Sequence, residues 1–165
     1  MLKISAVDIN KKAPYQVVES GENSFSFTTQ YGLVYNVGFC VDQSFLEEGV
    51  YQFYILNLDD SHFHQDDKVK DTIQAVIEVF FEMEPAVMLY ICDIKDNRQA
   101  GRDRLFRLWF LEYANSANFT MVNENVTFDE TTYYASILLR NDHPDYISII
   151  QLFKDFVSDL PGKFN

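Results

Sequence analysis

Apolar and polar residues alternate along the first third of the chain. In residues 33–41 one face carries only apolar side chains, at Leu33, Tyr35, Val37, Phe39 and Val41. Comparable runs occupy residues 15–19, 24–29 and 51–58, and short Gly-containing segments separate most of them. Period-two alternation interrupted by glycine turns is typical of β-hairpins. The pattern predicts a four-stranded antiparallel meander with one face turned towards a core.

The hydrophobic period then becomes helical. From residue 66 to 83 apolar side chains recur every three or four positions, and Asp66 and Asp67 suit the cap and first turn of a helix. A second helix is expected over residues 99–113. A third opens at Asp142-His143-Pro144, because Pro fits the first helical turn and Asp is a good cap. His143 is therefore expected to serve this helix start rather than catalysis.

The remaining apolar runs predict further strands. Residues 86–92 form a continuous apolar run, which is typical of a strand covered on both faces. Residues 132–140 predict another strand, and residues 119–122 and 126–129 predict two shorter ones. Together these elements predict a single α+β domain over residues 1–165, with a mostly antiparallel sheet and about three helices packed on it.

The formal net charge of −12 narrows the classes of partner. It disfavours nucleic acid, because binding to nucleic acid depends on many phosphate contacts. Residues 1–12 contain no apolar stretch of signal-peptide length, and no segment of the chain is long and apolar enough for a membrane span. A cytoplasmic protein without membrane association is therefore expected. Cys40 and Cys92 lie in apolar runs without metal-binding or redox spacing, and both are expected to pack as small hydrophobic side chains. The oligomeric state stays open.

No motif in the chain specifies a reaction or a cofactor. The sequence lacks Gly-x-Ser-x-Gly, the P-loop and the dinucleotide fingerprint. His62 and His64 lie among carboxylates and are weak candidates for metal ligands, but a stable site needs three or four fixed ligands. A polar loop that leads into a helix accounts for both histidines. Neither a metal nor a cofactor is expected, and a non-catalytic protein is favoured.

Four of the five arginines fall within ten residues, at Arg98, Arg102, Arg104 and Arg107. They lie where the predicted buried strand is followed by the second helix, a junction at which ligands tend to bind in open α/β sheets. A helix N-terminus with an arginine beside it can hold a phosphate or a carboxylate. The cluster is therefore the candidate site of the chain.

The helical period divides these arginines into two pairs. At about 100° per residue, Arg102 shares a stripe with Leu105, Trp109 and Tyr113. This stripe is expected to face the sheet, with Arg98 at its edge. The other two arginines of the cluster are expected to face solvent.

Three interpretations of the cluster remain open. The arginines could form an internal ion-pair network with the nearby aspartates Asp93, Asp96 and Asp103. Alternatively, Arg98 and Arg102 bind a small anionic ligand, and Asp93, Asp96 and Trp109 complete the candidate site. Arginine is also enriched in interface hot spots, so the cluster can serve as a surface for a partner protein. The favoured function is a binding or interaction protein.

An enzyme of transferase type is the alternative. The segment from Arg98 to Asp103 superficially resembles the Arg-x-x-Gly-x-Gly/Ala loop with which acetyl-coenzyme-A-dependent N-acetyltransferases bind pyrophosphate. Asp103 departs from that pattern, because it puts a carboxylate where a phosphate should approach. The predicted helix at residues 66–83 also interrupts the strand meander of such a fold. This alternative places a phosphate-bearing cofactor at residues 98–103.

Five strings carry a resemblance to a known family: Tyr31-Gly32-Leu33-Val34-Tyr35-Asn36-Val37-Gly38-Phe39, Lys70-Asp71-Thr72-Ile73, Phe80-Phe81, Leu89-Tyr90-Ile91-Cys92-Asp93 and Gln99-Ala100-x-Arg102-x-Arg104-Leu105-Phe106-x-x-Trp109-Phe110. They resemble a bacterial family known only as a domain of unknown function. The resemblance covers nearly the whole chain and implies a small, stand-alone bacterial protein. It implies no activity and assigns no catalytic residue.

Overall fold

A computed structural model describes residues 3–43, 46, 50–57, 66–83, 87–92, 98–116 and 118–163, with the backbone alone at 83, 112–116 and 163. The described residues form five helices and seven strands. In chain order these are α1 (Ala6–Asn10), β1 (Val18–Gly21), β2 (Ser24–Thr28), β3 (Val34–Asp42), β4 (Val50–Asn57), α2 (Asp67–Met83), β5 (Met88–Ile91), α3 (Gln99–Ser116), β6 (Phe119–Phe128), β7 (Thr131–Arg140), α4 (Tyr146–Ser158) and α5 (Leu160–Lys163). The predicted α+β class is confirmed.

The seven strands form a mixed sheet in the order β1-β2-β3-β4-β5-β7-β6. Four of the pairings, β1–β2, β2–β3, β5–β7 and β6–β7, are antiparallel. The three predicted helices correspond to α2, α3 and α4, while α1 and α5 are short additions. The chain divides into two compact units, residues 1–40 with 53–84 and residues 41–52 with 85–165.

Aromatic side chains form the core of the first unit. The register of β2 and β3 sets Phe27 opposite Tyr35, and the two rings stack at 5.3 Å. Phe39 stacks in turn on Phe80 of α2 at 4.4 Å. All four side chains are buried, which confirms the core face predicted from the period-two pattern.

The C-terminal end of β3 differs from the prediction. Val41 was expected on the core face but is 60% exposed. Cys40 is exposed as well, because the alternation of β3 that buries Phe39 turns the next side chain to the other face. The prediction that Cys40 packs as a small hydrophobic side chain is therefore wrong, whereas Cys92 is buried as predicted.

Side chains from α1 and α2 form hydrogen bonds with the backbone just before β1. The amide of the Asn10 side chain donates to Val17 O and its oxygen accepts from Val17 N–H. The backbone N–H of Tyr15 donates to Thr72 Oγ1 of α2. Since these groups satisfy the backbone there, β1 begins at Val18 rather than at residue 15.

Asp66 caps α2 as the sequence predicts. Its Oδ1 accepts from the Lys68 backbone N–H at 3.0 Å, and its Oδ2 accepts from the Tyr15 hydroxyl at 2.6 Å. Asp67 lies in the first turn, where a negative charge is favourable against the helix dipole.

In the second unit, α3 and α4 cover opposite faces of β5 and β7. One face joins α4 in a core of buried side chains that includes Leu89, Ile137 and Phe153. The other face carries Tyr90, whose ring stacks on Phe106 of α3. The register of the two strands, with Leu89 opposite Ile137, keeps these two sets of side chains apart.

α4 begins two residues after Pro144, the last of the three residues predicted to open it. The helix begins at Tyr146, and the Asp145 backbone N–H donates to His143 Nδ1 at 3.1 Å. Asp142 instead lies in an ion pair with Arg140 at 3.1 Å. His143 thus serves the approach to the helix as expected, while Asp142 is not the cap.

β6 and β7 form one long hairpin. The register is regular from Phe119 opposite Arg140 to Phe128 opposite Thr131, so the two short strands predicted at 119–122 and 126–129 are parts of one strand. The turn residues Asp129 and Glu130 both have positive φ, 51° and 67°, as a type I′ turn requires.

We expect Glu130→Gly to stabilise the protein. The left-handed conformation costs a residue with a Cβ about 1 to 2 kcal/mol, and the greater entropy of glycine in the unfolded chain offsets part of that gain. The expected net increase in the free energy of unfolding is about 0.5 to 1 kcal/mol, measured by urea denaturation. Glu130→Ala is the control, because it removes the carboxylate but keeps the Cβ. A Gly variant no more stable than the Ala variant would contradict the assigned turn.

Candidate functional site

The inward face of α3 is built from residues spaced four, three and four apart: Gln99, Asp103, Phe106 and Phe110. All four are buried. The Phe106 ring stacks on Tyr90 of β5 with centroids 4.1 Å apart and planes 12° apart, and it contacts Phe110 at 4.6 Å. These stacked rings fix the rotation of α3 against the sheet.

Asp103 forms an ion pair beneath this helix. Its side chain is 5% exposed, and its Oδ2 lies 2.9 Å from Arg107 Nε, one turn further along α3. Burial raises the pKa of the Asp103 carboxyl above its usual value, and the Arg107 guanidinium opposes that shift. The internal Arg–Asp interaction considered from the sequence therefore exists for this pair.

Gln99 lies one turn before Asp103 on the same buried face. Its Nε2 donates to Thr132 O of β7 at 3.1 Å, which fixes the orientation of the amide. Its Oε1 is buried and has no hydrogen-bond partner, the one such side-chain atom in the part of the chain that the structure describes. An unsatisfied buried acceptor is costly and calls for an explanation.

Cys92 follows β5 and lies near these charged residues. Its backbone N–H donates to Tyr134 O at 3.1 Å. Burial raises the pKa of the Cys92 thiol to about 12; Asp103 acts in the same direction, and Arg102 and Arg107 oppose it. The thiol is therefore protonated at neutral pH, and it lacks the thiolate character that a nucleophile needs.

The helical phase predicted for α3 is wrong by about one residue. Arg102, Leu105 and Trp109 are half-buried at the flank of the helix rather than central to its sheet-facing side. Arg107 is exposed as predicted, but its Nε also reaches back to Asp103. The stack of Phe106 on Tyr90 selects the stripe that includes Asp103. Arg107, one turn away, then compensates the charge of that carboxylate.

Of the other candidate residues, some are exposed on or beside α3 and others lie outside the described residues. Arg98 is exposed immediately before α3, and Arg104 is exposed on it. Asp93 and Asp96 of the candidate ligand site lie outside the described residues, as do the weak metal candidates His62 and His64. The structure thus brings Arg102 near Cys92 and Asp103 at the start of α3.

The solvent side of α3 carries a surface that the sequence pattern does not reveal. Leu108 is 66% exposed and Leu111 is 52% exposed. Arg104 and Arg107 lie one turn before them on the same side of the helix. We call these four residues the α3 outer face. The sequence did contain one sign of this surface. Apolar residues lie on every side of α3, so some of them must face away from the sheet.

One protein-family model matches this chain. The model described as "Family of unknown function (DUF6169)" matches residues 65–155, which is more than half of the chain. The chain belongs to this family. DUF6169 membership confirms the expected relation to an uncharacterised family, and four of the five strings lie inside the matched segment. The bacterial origin implied by the resemblance stays a prediction. No curated protein matches the chain, and no solved structure does.

The DUF6169 segment includes β5, the whole of α3 and the β6–β7 hairpin. Among the described residues, no group of three or more His, Cys, Asp or Glu side chains is arranged to hold a metal ion. In the same part of the chain, no helix combines the length and apolar character needed to cross a membrane.

Proposed function

We propose that this DUF6169 protein is a non-catalytic binding protein that holds a partner protein on the α3 outer face. The observation that carries the proposal is the exposure of Leu108 and Leu111 beside Arg104 and Arg107. A helix whose apolar residues lie on a single side packs that side against a core and exposes the other side to water. A helix with apolar residues all round is typically covered on both sides. Phe106 already faces the sheet, so the leucines offer a second packing surface.

The charge of this surface favours an acidic partner. The chain carries 25 acidic residues, yet the exposed positions of α3 between residues 98 and 111, all of which are described, hold only Arg, Ala, Gly and Leu. The single acid of that stretch, Asp103, is buried. The outer face is therefore a local basic surface on a chain of net charge −12. Complementary charge on an acidic partner would speed association, and the arginines would select against basic surfaces.

The geometry of the surface favours a helical partner segment. Leu108 and Leu111 lie three residues apart on α3, so their side chains form a short ridge on one side of the helix. A second helix packs against such a ridge with its own apolar side chains. An amphipathic helix that places acidic residues beside its apolar stripe would contact both leucines and both arginines. Recognition of this kind uses apolar anchors at helical spacing.

Selection from a displayed library of random peptides tests the proposal. With the whole protein as bait, we expect enrichment of peptides that carry Leu, Ile or Phe at helical spacing together with Asp or Glu. Arg104→Glu and Leu108→Ser should each abolish most of this enrichment. Two changes on α4, Lys154→Glu and Ile147→Ser, are matched controls, because both residues are exposed and Ile147 is 81% exposed.

Two outcomes would count against the proposal. Enrichment that survives Leu108→Ser would put the binding surface elsewhere. Enrichment that the α4 controls reduce as much as the α3 variants would indicate nonspecific capture. Thermal unfolding of each variant shows that the surface changes leave the fold intact, as expected for exposed positions.

A small-anion site at the first turn of α3 is the second candidate. It is favoured by the half-buried Arg102 in the first turn of the helix, because a helix N-terminus with an arginine beside it attracts an anion. The transferase alternative uses this turn as well, with a phosphate-bearing cofactor in place of a small anion. Calorimetric titration with inorganic phosphate and with acetyl-coenzyme A tests both. Heat that Arg102→Ala abolishes supports the site, and no heat with either compound rejects it.

A further inference from the structure

We infer that two copies of this chain associate through the outer edge of β6, by antiparallel pairing of the two β6 strands about a two-fold axis at Asn123. β6 is the last strand of the sheet, with β7 on one side. It is ten residues long, and its register with β7 shows no shift from end to end. A long, regular edge strand presents unpaired backbone groups to any strand that approaches it.

The β6–β7 ladder determines which backbone groups point outward. Asn141 N–H donates to Asn118 O at 3.0 Å, so the carbonyl of residue 118 points towards β7. In an antiparallel ladder this direction repeats at every second residue. The even-numbered residues of β6 therefore bond to β7, including Phe128 opposite Thr131 at the turn. The odd-numbered residues Met121, Asn123, Asn125 and Thr127 direct their backbone N–H and C=O groups away from β7.

β6 lacks most of the features that usually prevent edge pairing, although Glu124 places one charge within the strand. Proteins protect exposed edges with Pro, Lys, bulges or very short strands. The β6 sequence Phe-Thr-Met-Val-Asn-Glu-Asn-Val-Thr-Phe contains neither Pro nor Lys, and it has no bulge. Val, Thr and Phe, which are favoured in strands, make up six of its residues. Within the described part of the chain no further strand pairs with this edge, so a strand can add to it.

The strand is compatible with a second copy of itself in one register. A two-fold axis at Asn123 pairs Met121 with Asn125 of the second copy and Asn123 with its own counterpart, so the outward backbone groups of these three residues gain partners. An axis at Glu124 would place two carboxylates directly opposite each other, which is unfavourable. With the axis at Asn123, Glu124 lies opposite Val122 of the second copy instead.

The pairing would also extend the apolar face that β6 shares with α4. Val122 and Val126 are partly buried against the core of the second unit. In the proposed register each Val126 lies opposite Thr120 of the other copy, and each Val122 lies beside the aliphatic stem of Glu124. The added strand therefore removes further apolar surface from water at the end of that core.

Sedimentation equilibrium of the whole protein over a range of concentrations tests this inference. The chain has a net charge of −12, so copies repel each other, and the experiment is run at about 0.5 M salt to screen that repulsion. We expect a monomer–dimer equilibrium. Asn125→Pro should raise the dimer Kd at least about 100-fold, because proline removes an outward donor and places its ring at the edge. The donor at residue 125 is not one that β7 uses.

A pair of charge variants keeps the test valid even if the proline variant fails to fold. Asn123→Asp retains an acceptor for Ser136 Oγ, which donates to Asn123 Oδ1 at 2.5 Å. It also places two carboxylates opposite each other at the axis and should raise the Kd about fivefold. Asn125→Asp, the same change two residues away, faces Met121 of the second copy and should have a smaller effect.

A protein that stays monomeric up to its highest soluble concentration at high salt would overturn the inference. A dimer that survives both Asn125→Pro and Asn123→Asp would overturn it too, because another surface would then hold the copies together. An Asn125→Asp effect equal to that of Asn123→Asp would exclude the register. Leu108→Ser should leave the dimer unchanged, so this result and the test of the α3 outer face are independent.

Discussion

Gly38→Ala is expected to destabilise the protein by about 2 to 3 kcal/mol, the usual range for forcing atoms into a packed region. A Cβ at position 38 would lie 2.5 Å from the backbone oxygen of Asn23 and 2.5 Å from the hydroxyl of Tyr54. The Tyr54 ring can move, but the backbone at Asn23 is held in place, because its oxygen accepts from Phe39 N–H and its side chain accepts from Ile4 N–H.

Thermal and urea unfolding measure this effect, and Gly101→Ala is the matched control. A Cβ at Gly101 meets nothing within 4 Å, and the position is exposed in α3. Alanine there should stabilise the helix by about 0.5 to 1 kcal/mol. Opposite signs for the same substitution at two glycines would support the close approach of Tyr54 and Asn23 to β3. A Gly38→Ala variant as stable as the native protein would refute it.

Arg107→Ala is expected to lower the free energy of unfolding by about 2 kcal/mol at neutral pH. It leaves the buried carboxylate of Asp103 without its partner, a change that costs roughly 3 to 5 kcal/mol when both members of a pair are buried. The expected loss is smaller here because the Arg107 side chain is 47% exposed and water screens part of the interaction. Arg104→Ala, on the exposed side of the same helix, is the control and should change little.

The double variant Arg107→Ala with Asp103→Asn separates the ion pair from other effects of the arginine. Asparagine removes the buried charge, so the double variant should recover most of the stability that Arg107→Ala loses. Urea denaturation of the native protein, both single variants and the double variant gives the coupling energy. Equal instability of Arg107→Ala with and without Asp103→Asn would show that the carboxylate is not the reason for the loss.

The same pair predicts a pH dependence with a definite sign. The folded-state pKa of Asp103 is raised above its usual 3.8 by burial. At a pH between the unfolded-state pKa and the raised folded-state pKa of Asp103, the folded protein binds more protons than the unfolded chain. The free energy of unfolding therefore increases as the pH falls through the folded-state pKa. Loss of Arg107 removes an interaction that lowers this pKa. The Arg107→Ala variant should therefore regain stability on acidification, and the double variant should not.

Periodicity was a sound guide wherever one face of an element was clearly apolar. The helical stripe at residues 66–83 and its Asp66 cap correspond closely to α2, Asp67–Met83. The period-two stripe of β3 is buried at Tyr35, Val37 and Phe39. In both elements the apolar side chains leave one choice of face, so the sequence pattern decides the packing.

The sequence-based predictions failed where two arrangements of an element fitted the apolar pattern equally well and tertiary contacts determined which one forms. α3 has apolar side chains on several faces, and the stack of Phe106 on Tyr90 decides which of them faces inward. That contact joins two elements and leaves no periodic signal within either. Asn123, Glu124 and Asn125 suggested a break within β6, but polar residues are tolerated there because β6 lies at the end of the sheet.

The candidate site shows the same limit. The sequence located the arginine cluster at the start of α3. In the structure Arg102 lies in the first turn of this helix and is half-buried. The roles of the individual arginines depended on the helical phase, so the pairing of Arg107 with Asp103 and the exposure of Leu108 became evident only with coordinates.

A charge-swap titration tests the central claim, that the α3 outer face binds an acidic helical segment, most directly. A peptide selected on the native protein is titrated against the native chain and Arg104→Glu, and a second version of the peptide carries Lys in place of its acidic residues. Arg104→Glu should weaken binding of the acidic peptide about tenfold or more, and the Lys peptide should restore binding to that variant. Structural damage cannot be reversed by changing the ligand. An acidic peptide that binds both proteins equally, or a Lys peptide that restores nothing, would contradict the account.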